Sequence, residues 1–211
     1  DSLRTVLPLI QMGMDERELA AELVLQLFRH GSEPTLPFAP IVAAGPNGAN
    51  PHSQPTARKL QEGDLLIIDW GASHQGYVSD LTRTFGVGEI DEESARIHEI
   101  VQQANRAGRV AGKENVACRE VDLAAREVIS EAGYGDCFTH RTGHGIGMQC
   151  HEEPYMHKDN GQLLKVGMAY TVEPGIYLQG KNGVRIEDDV YIGENGAISL
   201  SSLPRSLVRV G

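Results

Sequence analysis

The sequence predicts an α+β fold made of two similar halves, each centred on an antiparallel hairpin, with helices flanking and joining them. Three observations lead there. The 211-residue chain is long enough for one sizeable core, because a domain of this size removes roughly 70% of its extended surface from water. Short apolar runs bounded by glycine fall into two clusters, 65–85 and 169–191, with helical periodicity at 92–112 and 117–132 between them. The clusters also repeat each other: Gly63 precedes Asp69 by six and Gly71 by eight, and Gly167 precedes Glu173 by six and Gly175 by eight.

Taken in order, Leu3, Val6, Leu7 and Ile10 have helical spacing from the first residues, so residue 1 is read as lying inside a helix and an N-terminal domain is expected upstream. Leu19, Leu23, Val24 and Leu27 form an apolar stripe after the acidic start Asp15 and Glu16, a helix that ends near Gly31. Six of the ten prolines lie in residues 32–56, which predicts a loop-rich stretch around a short strand, Ile41 to Ala44. Leu65 to Trp70 and Tyr77 to Phe85 form the first hairpin, with Gly71 and Gly76 bounding its turn. The helix over 117–132 stops at Gly133. Ala169 to Val172, Gly175 to Leu178 and Val184 to Tyr191 supply the strands of the second half, with a turn at Gly180, Asn182 and Gly183.

Composition excludes several functions. A net charge of −10 argues against a nucleic-acid partner, whose phosphates need clustered Lys and Arg. No segment approaches the roughly 20 apolar residues of a membrane span. Cys118, Cys137 and Cys150 form neither an even disulfide set nor a zinc-type CxxC pair, which fits free thiols in a reducing, cytoplasmic setting.

The repeat carries acids. Gly76 stands four before Asp80 and Gly183 four before Glu187, so each hairpin places one acid on each strand, 11 residues apart in the first (69 to 80) and 14 in the second (173 to 187). Four carboxylates in one core take up protons or bind cations. His144, inside the glycine-rich run from Arg141 to Gly147, adds a nitrogen donor. Such an oxygen-rich set suits a pair of divalent first-row cations, which about 3.5–4 Å apart can share a water and make it hydroxide near neutral pH.

The runs IDWGA (68–72), SDLTRT (79–84), GHGIG (143–147), HEEP (151–154), VEPG (172–175) and RIEDD (185–189) resemble those of the pita-bread metallopeptidases, the family of methionine aminopeptidase, aminopeptidase P and prolidase. The resemblance covers nearly the whole chain and implies a pita-bread fold, a pseudo-two-fold pair of halves, with residues 1–211 as a single metallopeptidase catalytic domain. It also implies five metal ligands: Asp69, Asp80, His144, Glu173 and Glu187. Asp80 and Glu187 would bridge two divalent ions (manganese, cobalt, zinc or iron, with manganese favoured), Asp69 would chelate one, and His144 with Glu173 would complete the other. The bridging hydroxide would be the nucleophile, Glu173 the proton carrier, and His52 and His151 donors to the substrate carbonyl.

NPHSQPT (50–56) and Arg185 in GVRIEDDV (183–190) favour the proline-specific branch, closest to prolidase, with Arg185 in a substrate-side or acid-orienting role. The expected substrate is therefore a peptide or dipeptide with proline after the scissile bond, and the family implies a homodimer. Methionine aminopeptidase and a non-catalytic binding module of the same fold are the alternatives. His30, His74, His98, His140 and His157 match no motif position and are read as surface or supporting groups. Asp188 and Asp189 are left outside the site because strand alternation turns Asp188 away.

Overall fold

In the computed structural model, which describes residues 1–211, helix α2 (Glu16–Arg29) starts at the expected acidic turn. Asp15 accepts from the Glu18 amide and Glu18 accepts from the Asp15 amide, a capping box that satisfies two otherwise unpaired donors. The stripe of Leu19, Leu23 and Leu27 is buried against Leu3 and Val6 of the short helix α1 (Ser2–Val6). Helices α3 (Glu92–Ala111) and α4 (Cys118–Glu131) match their predicted spans to within one residue at each end. Asp91 caps α3 by accepting from the Ser94 amide.

Two sheets carry the halves. The first runs β1 (Ile41–Ala44), β2 (Leu65–Trp70), β5 (Leu81–Val87), β13 (Arg209–Val210). The second runs β12 (Gly196–Ser199), β11 (Asp188–Gly193), β8 (Ala169–Val172), β6 (Gly143–Gly145), β7 (Glu152–Met156). A small ribbon, β3 (Ser73–His74) with β4 (Tyr77–Val78), caps the first hairpin, and another, β9 (Gly175–Tyr177) with β10 (Gly183–Arg185), extends the second. The pairing β1–β2–β5 thus has its counterpart in β6–β8–β11. Ala44 faces Leu66 and Gly145 faces Tyr170, each partner lying three residues before the first acid of its half. By that register Ala43 stands in the first half where His144 stands in the second. The repeat therefore supplies four acids and only one imidazole.

The structure corrects the predicted strands in two respects. Val184 to Tyr191 is not one strand: it breaks at Ile186 and Glu187, so that β10 pairs with β9 while β11 pairs with β8. Glu173 and Glu187 lie at this break, and Glu187 instead bridges to Thr82 of the opposite half. Likewise Tyr77 to Phe85 breaks at Ser79 and Asp80. Strands β6 and β7, read from the sequence as glycine loop and motif, pair with each other and bring His144 onto the second sheet.

Strand alternation then decides which way each acid points. On β2, Leu66, Ile68 and Trp70 enter the core beneath α1 and α2, while Leu65 packs with α3 and α4, leaving Asp69 on the inner side. Tyr170 and Val172, with Val190 and Ile192, join a third core under α4, so Thr171, Glu173, Glu187 and Asp189 turn inward. Each fully buried Leu or Ile contributes about 1.5–3 kcal/mol, and these cores hold the polar centre in place. Gly143 permits the close approach of β6 to β8: a Cβ there would lie 1.9 Å from the Thr171 carbonyl oxygen.

Candidate metal centre

All five predicted ligands converge on one cavity of about 640 Å³ that is also lined by His52, His140, Arg141, Cys150, His151 and Arg185. Donor atoms of Asp69, Asp80 and Glu187 lie within 4.8 Å of one another, as do those of His144, Glu173 and Glu187, so Glu187 belongs to both groups. A third group joins Asp80, His144 and His151.

Hydrogen bonds fix the predicted ligands. Thr82 Oγ1 donates to Glu187 Oε2 at 2.6 Å and accepts from Arg185 Nε at 3.2 Å. Thr171 Oγ1 donates to Glu173 Oε1 at 3.3 Å. The Asp80 amide donates to Asp189 Oδ2 at 3.0 Å, which makes Asp189 a support of the site that sequence reading left out. His144 Nδ1 donates to the Gly145 carbonyl at 3.0 Å, so its Nε2 lone pair faces Glu173 at 3.4 Å and Asp80 at 3.7 Å.

That arrangement asks for positive charge. Burial lowers the His144 pKa to about 4, so the ring is neutral near pH 7 and its contacts with two carboxylates are not ion pairs. Burial and the neighbouring Glu187 and Asp69 carboxylates hold Asp80 well above the usual range. Burial and the Glu173 and Asp69 charges do the same to Glu187, and burial raises Glu173 to about 7. Asp69 Oδ1 is buried without any hydrogen-bond partner. An orphaned carboxylate oxygen, an imidazole lone pair aimed at acids and acids crowded beyond their mutual tolerance all fit divalent cations.

Arg185 is 3% exposed and its guanidinium is committed inside the protein. It pairs with Asp69 Oδ2 at 2.6 Å and donates to Tyr177 Oη at 3.1 Å and the Pro51 carbonyl at 3.2 Å. It thus orients Asp69 and holds the loop that presents His52; its partner is neither Asp188 nor Asp189. Glu16, buried in the first turn of α2, organises the other end of that loop by accepting from the Ala44 and Thr56 amides and from Asn47. Because arginine only donates, Tyr177 must pass its proton toward His140 Nε2 at 2.7 Å, and His140 Nδ1 donates to the Arg141 carbonyl at 2.7 Å. Burial and the Arg185 charge lower His140 to about 3, consistent with that neutral form. His140 is therefore part of the cavity wall, joined to Asp69 through Tyr177 and Arg185. No local motif marks it, since its partner is 37 residues away.

His151 packs edge-on against His144 with ring centres 4.1 Å apart, and His52 lies at the rim. His52 follows β1 and His151 follows β6, the corresponding strands of the two halves, so the pseudo-symmetry accounts for them as well. Asp188 does point away from the ligands; it is fully buried and pairs with the buried Arg83 and the partly exposed Arg109 and Arg205. His98 is buried rather than exposed, with burial lowering its pKa to about 4.

Known proteins share this architecture. A dipeptidase from Pyrococcus horikoshii OT3 superposes with a TM-score of 0.96 at 45% identity over 99% of this chain and 58% of its own, which establishes the pita-bread fold. The probable dipeptidase PepE of Mycobacterium tuberculosis is 43% identical over 94% of this chain and 52% of its own. The Xaa-Pro dipeptidase of Pyrococcus furiosus is 42% identical over 94% of this chain and 57% of its own. The chain thus spans little more than half the length of these relatives. No helix is long and apolar enough to cross a membrane. A profile of metallopeptidase family M24 matches residues 1–194, and the chain belongs to that family.

Proposed function

We propose that this chain hydrolyses the bond before proline in Xaa-Pro peptides at a centre that holds two divalent cations, manganese being the favoured metal. The observation that carries the reading is the pair of three-ligand groups sharing Glu187 in one cavity. Asp69, Asp80 and Glu187 would hold one ion, and His144, Glu173 and Glu187 the other, with Asp80 bridging beside Glu187. When bound, such ions supply Lewis acidity toward the scissile carbonyl and lower the pKa of a shared water.

The chain's own groups do the rest. Glu173, whose Oε1 lies 3.4 Å from His144 Nε2 inside the ligand group, takes a proton from the attacking water at its carboxylate and returns it to the leaving imino nitrogen. His52 and His151 stand at the rim to donate to the oxyanion as charge develops, a type of contact worth about 3 kcal/mol. Arg185 pairs with Asp69 Oδ2 and leaves Oδ1 for a cation. Pro37, Phe38, Ala39 and Ile41 provide the apolar wall that a proline ring favours. The similarity to the Xaa-Pro dipeptidase of Pyrococcus furiosus supports the same reaction class.

The test is a comparison of Ala-Pro and Met-Pro with a Met-Ala-Ser peptide on the manganese-loaded protein. Faster release of proline is the expected outcome. Faster release of methionine from Met-Ala-Ser would assign the site to methionine removal, and no cleavage of any of the three by cation-loaded protein would favour a binding module.

A further inference from the structure

We infer that Arg109 and Arg205 form a binding site for a doubly charged oxyanion of the phosphate type, on the side of β11 turned away from the cavity. Three guanidinium groups, those of Arg83, Arg109 and Arg205, meet there on the single carboxylate of Asp188. No other acid lies within ion-pair distance of any of the three, so the cluster carries an excess of two positive charges. Asp188 has no capacity left. Its Oδ1 accepts from Arg83 Nη2 at 2.8 Å and Arg205 Nη2 at 2.9 Å; its Oδ2 accepts from Arg205 Nε at 2.6 Å, with Arg109 Nε 3.6 Å away.

The three arginines differ in what they leave open. Arg83 is buried and every nitrogen is engaged: Nε on the Pro204 carbonyl, Nη1 on the Thr82 and Glu187 carbonyls, Nη2 on Asp188, Ser201 and Leu203. Arg109 uses only Nε, which donates to Asn105 Oδ1 at 2.8 Å. Arg205 uses Nε and Nη2, the latter also on Ser199 Oγ at 2.8 Å. Both Nη atoms of Arg109 and Nη1 of Arg205 thus have no acceptor in the protein, and each side chain is 22% exposed, enough to meet a group from solvent. The two guanidinium groups converge on one oxygen of Asp188, so their free edges lie close together. Burial and the Arg205 charge lower the pKa of Arg109, as expected of a cation short of a counter-ion. A carboxylate or chloride would bring one charge. A phosphate-type dianion brings two, with several oxygens for donors that arrive from different directions, one set from α3 and one from residues 199–205. Free phosphate and the phosphate of a monoester share that chemistry.

Two hydrogen-bond routes join this cluster to the backbone that carries the predicted ligands. Arg109 holds Asn105, whose Nδ2 donates to the Val172 carbonyl at 2.9 Å and the Ile186 carbonyl at 3.2 Å, the residues just before Glu173 and Glu187. Arg83 holds the Glu187 carbonyl itself at 2.6 Å. Unbalanced positive charge opposes cations at the centre, so an anion that balances it favours their binding, and by linkage the cations favour the anion equally. That coupling rests on the two-cation reading above; the anion site does not.

The test is calorimetric titration of full-length, manganese-loaded protein, freed of unbound manganese, with sulfate, phosphate and glycerol phosphate at constant ionic strength. Sulfate and phosphate should bind, and acetate at least about tenfold more weakly, the loss of one charged contact. Glycerol phosphate that matches phosphate shows a site for monoesters; glycerol phosphate that fails to bind restricts the site to the free ion. Arg109→Gln should lower sulfate affinity about 10- to 100-fold, with Arg109→Lys in between because lysine keeps the charge without the fork. The heat lost in Arg109→Gln separates this site from anions held by the cations themselves. Arg106→Gln, exposed on α3 three residues earlier, should change the affinity less than about threefold, since exposed charges are screened by salt. Equal losses in Arg106→Gln and Arg109→Gln would reduce the effect to diffuse attraction and overturn the site, as would an absence of binding by both sulfate and phosphate in wild type. Metal-free protein should bind sulfate about fivefold more weakly than the loaded form, the lower end of usual coupling. Equal affinities in the two forms overturn the coupling and leave the anion site standing. Sulfate binding by protein that takes up no manganese removes the two-cation reading instead, and the coupling with it.

Discussion

Glu173→Gln should lower kcat on Ala-Pro by roughly 100- to 10,000-fold, the span of a lost general acid–base group. Glutamine preserves the shape of the side chain, so the core around Val172 and Ile176 stays packed. It removes the charge and the proton affinity together. Glu173 Oε1 lies 3.4 Å from His144 Nε2, so its carboxylate reaches the ligand group and is placed to exchange a proton inside it. Steady-state kinetics with parallel cation analysis separate the two losses. A variant that retains two cations and turns over within about tenfold of wild type would remove the proposed proton role.

Asp188→Asn should be the most damaging single change to stability. Asp188 is fully buried and accepts from Arg83 Nη2 at 2.8 Å, Arg205 Nε at 2.6 Å and Arg205 Nη2 at 2.9 Å, with Arg109 Nε at 3.6 Å. These charges hold the carboxyl below the usual range although burial opposes them. Arg83 is itself buried and has no other acid within reach. Removing the one negative charge of a buried cluster costs about 3–5 kcal/mol, equivalent to a fall in Tm of roughly 6–20 °C for a domain of this size. Thermal unfolding of the variant checks this; a change of a degree or two would show that Arg205 and Arg109, both partly exposed, already carry the cluster's solvation. The effect should also reach the metal centre, because Arg83 Nη1 donates to the Glu187 carbonyl at 2.6 Å and the Thr82 carbonyl at 2.8 Å.

Much of this architecture is legible in the sequence, for identifiable reasons. Helices α2, α3 and α4 carry apolar stripes of helical period, and α2 and α3 also have acidic N-caps, signals that need no knowledge of the rest of the chain. Strand β2 is a run of apolar residues ending in Asp69 and Trp70, and its bounds are those predicted. The acids were visible because the fold repeats and their spacing repeats with it. What stayed hidden depends on distant partners. Nothing in Val184 to Tyr191 says that its pairing changes at Glu187, because the change is made by β8, β9 and Thr82. Strand β6 has glycine at both ends, where propensity argues against a strand, and it forms because only glycine lets it approach Thr171. Asp189 lies on the same face as Glu187 by alternation, yet its role depends on the Asp80 amide 109 residues away.

Cation stoichiometry tests the central claim most directly. Calorimetric titration of metal-free protein with manganese at pH 8 should give two ions per chain, and Glu187→Ala should lose tight binding at both positions because Glu187 belongs to both ligand groups. Binding should weaken as pH falls through about 7, where Glu173 becomes protonated in the metal-free site and competes with the cation. The linked stability runs in the opposite sense: a carboxyl raised from 4.5 to about 7 stabilises the metal-free fold below pH 4.5 and loses that contribution as pH rises through 7. Two equivalents in wild type, with both lost in Glu187→Ala, is the outcome the ligand geometry requires. No bound cation, or two that persist undiminished in Glu187→Ala, would contradict it.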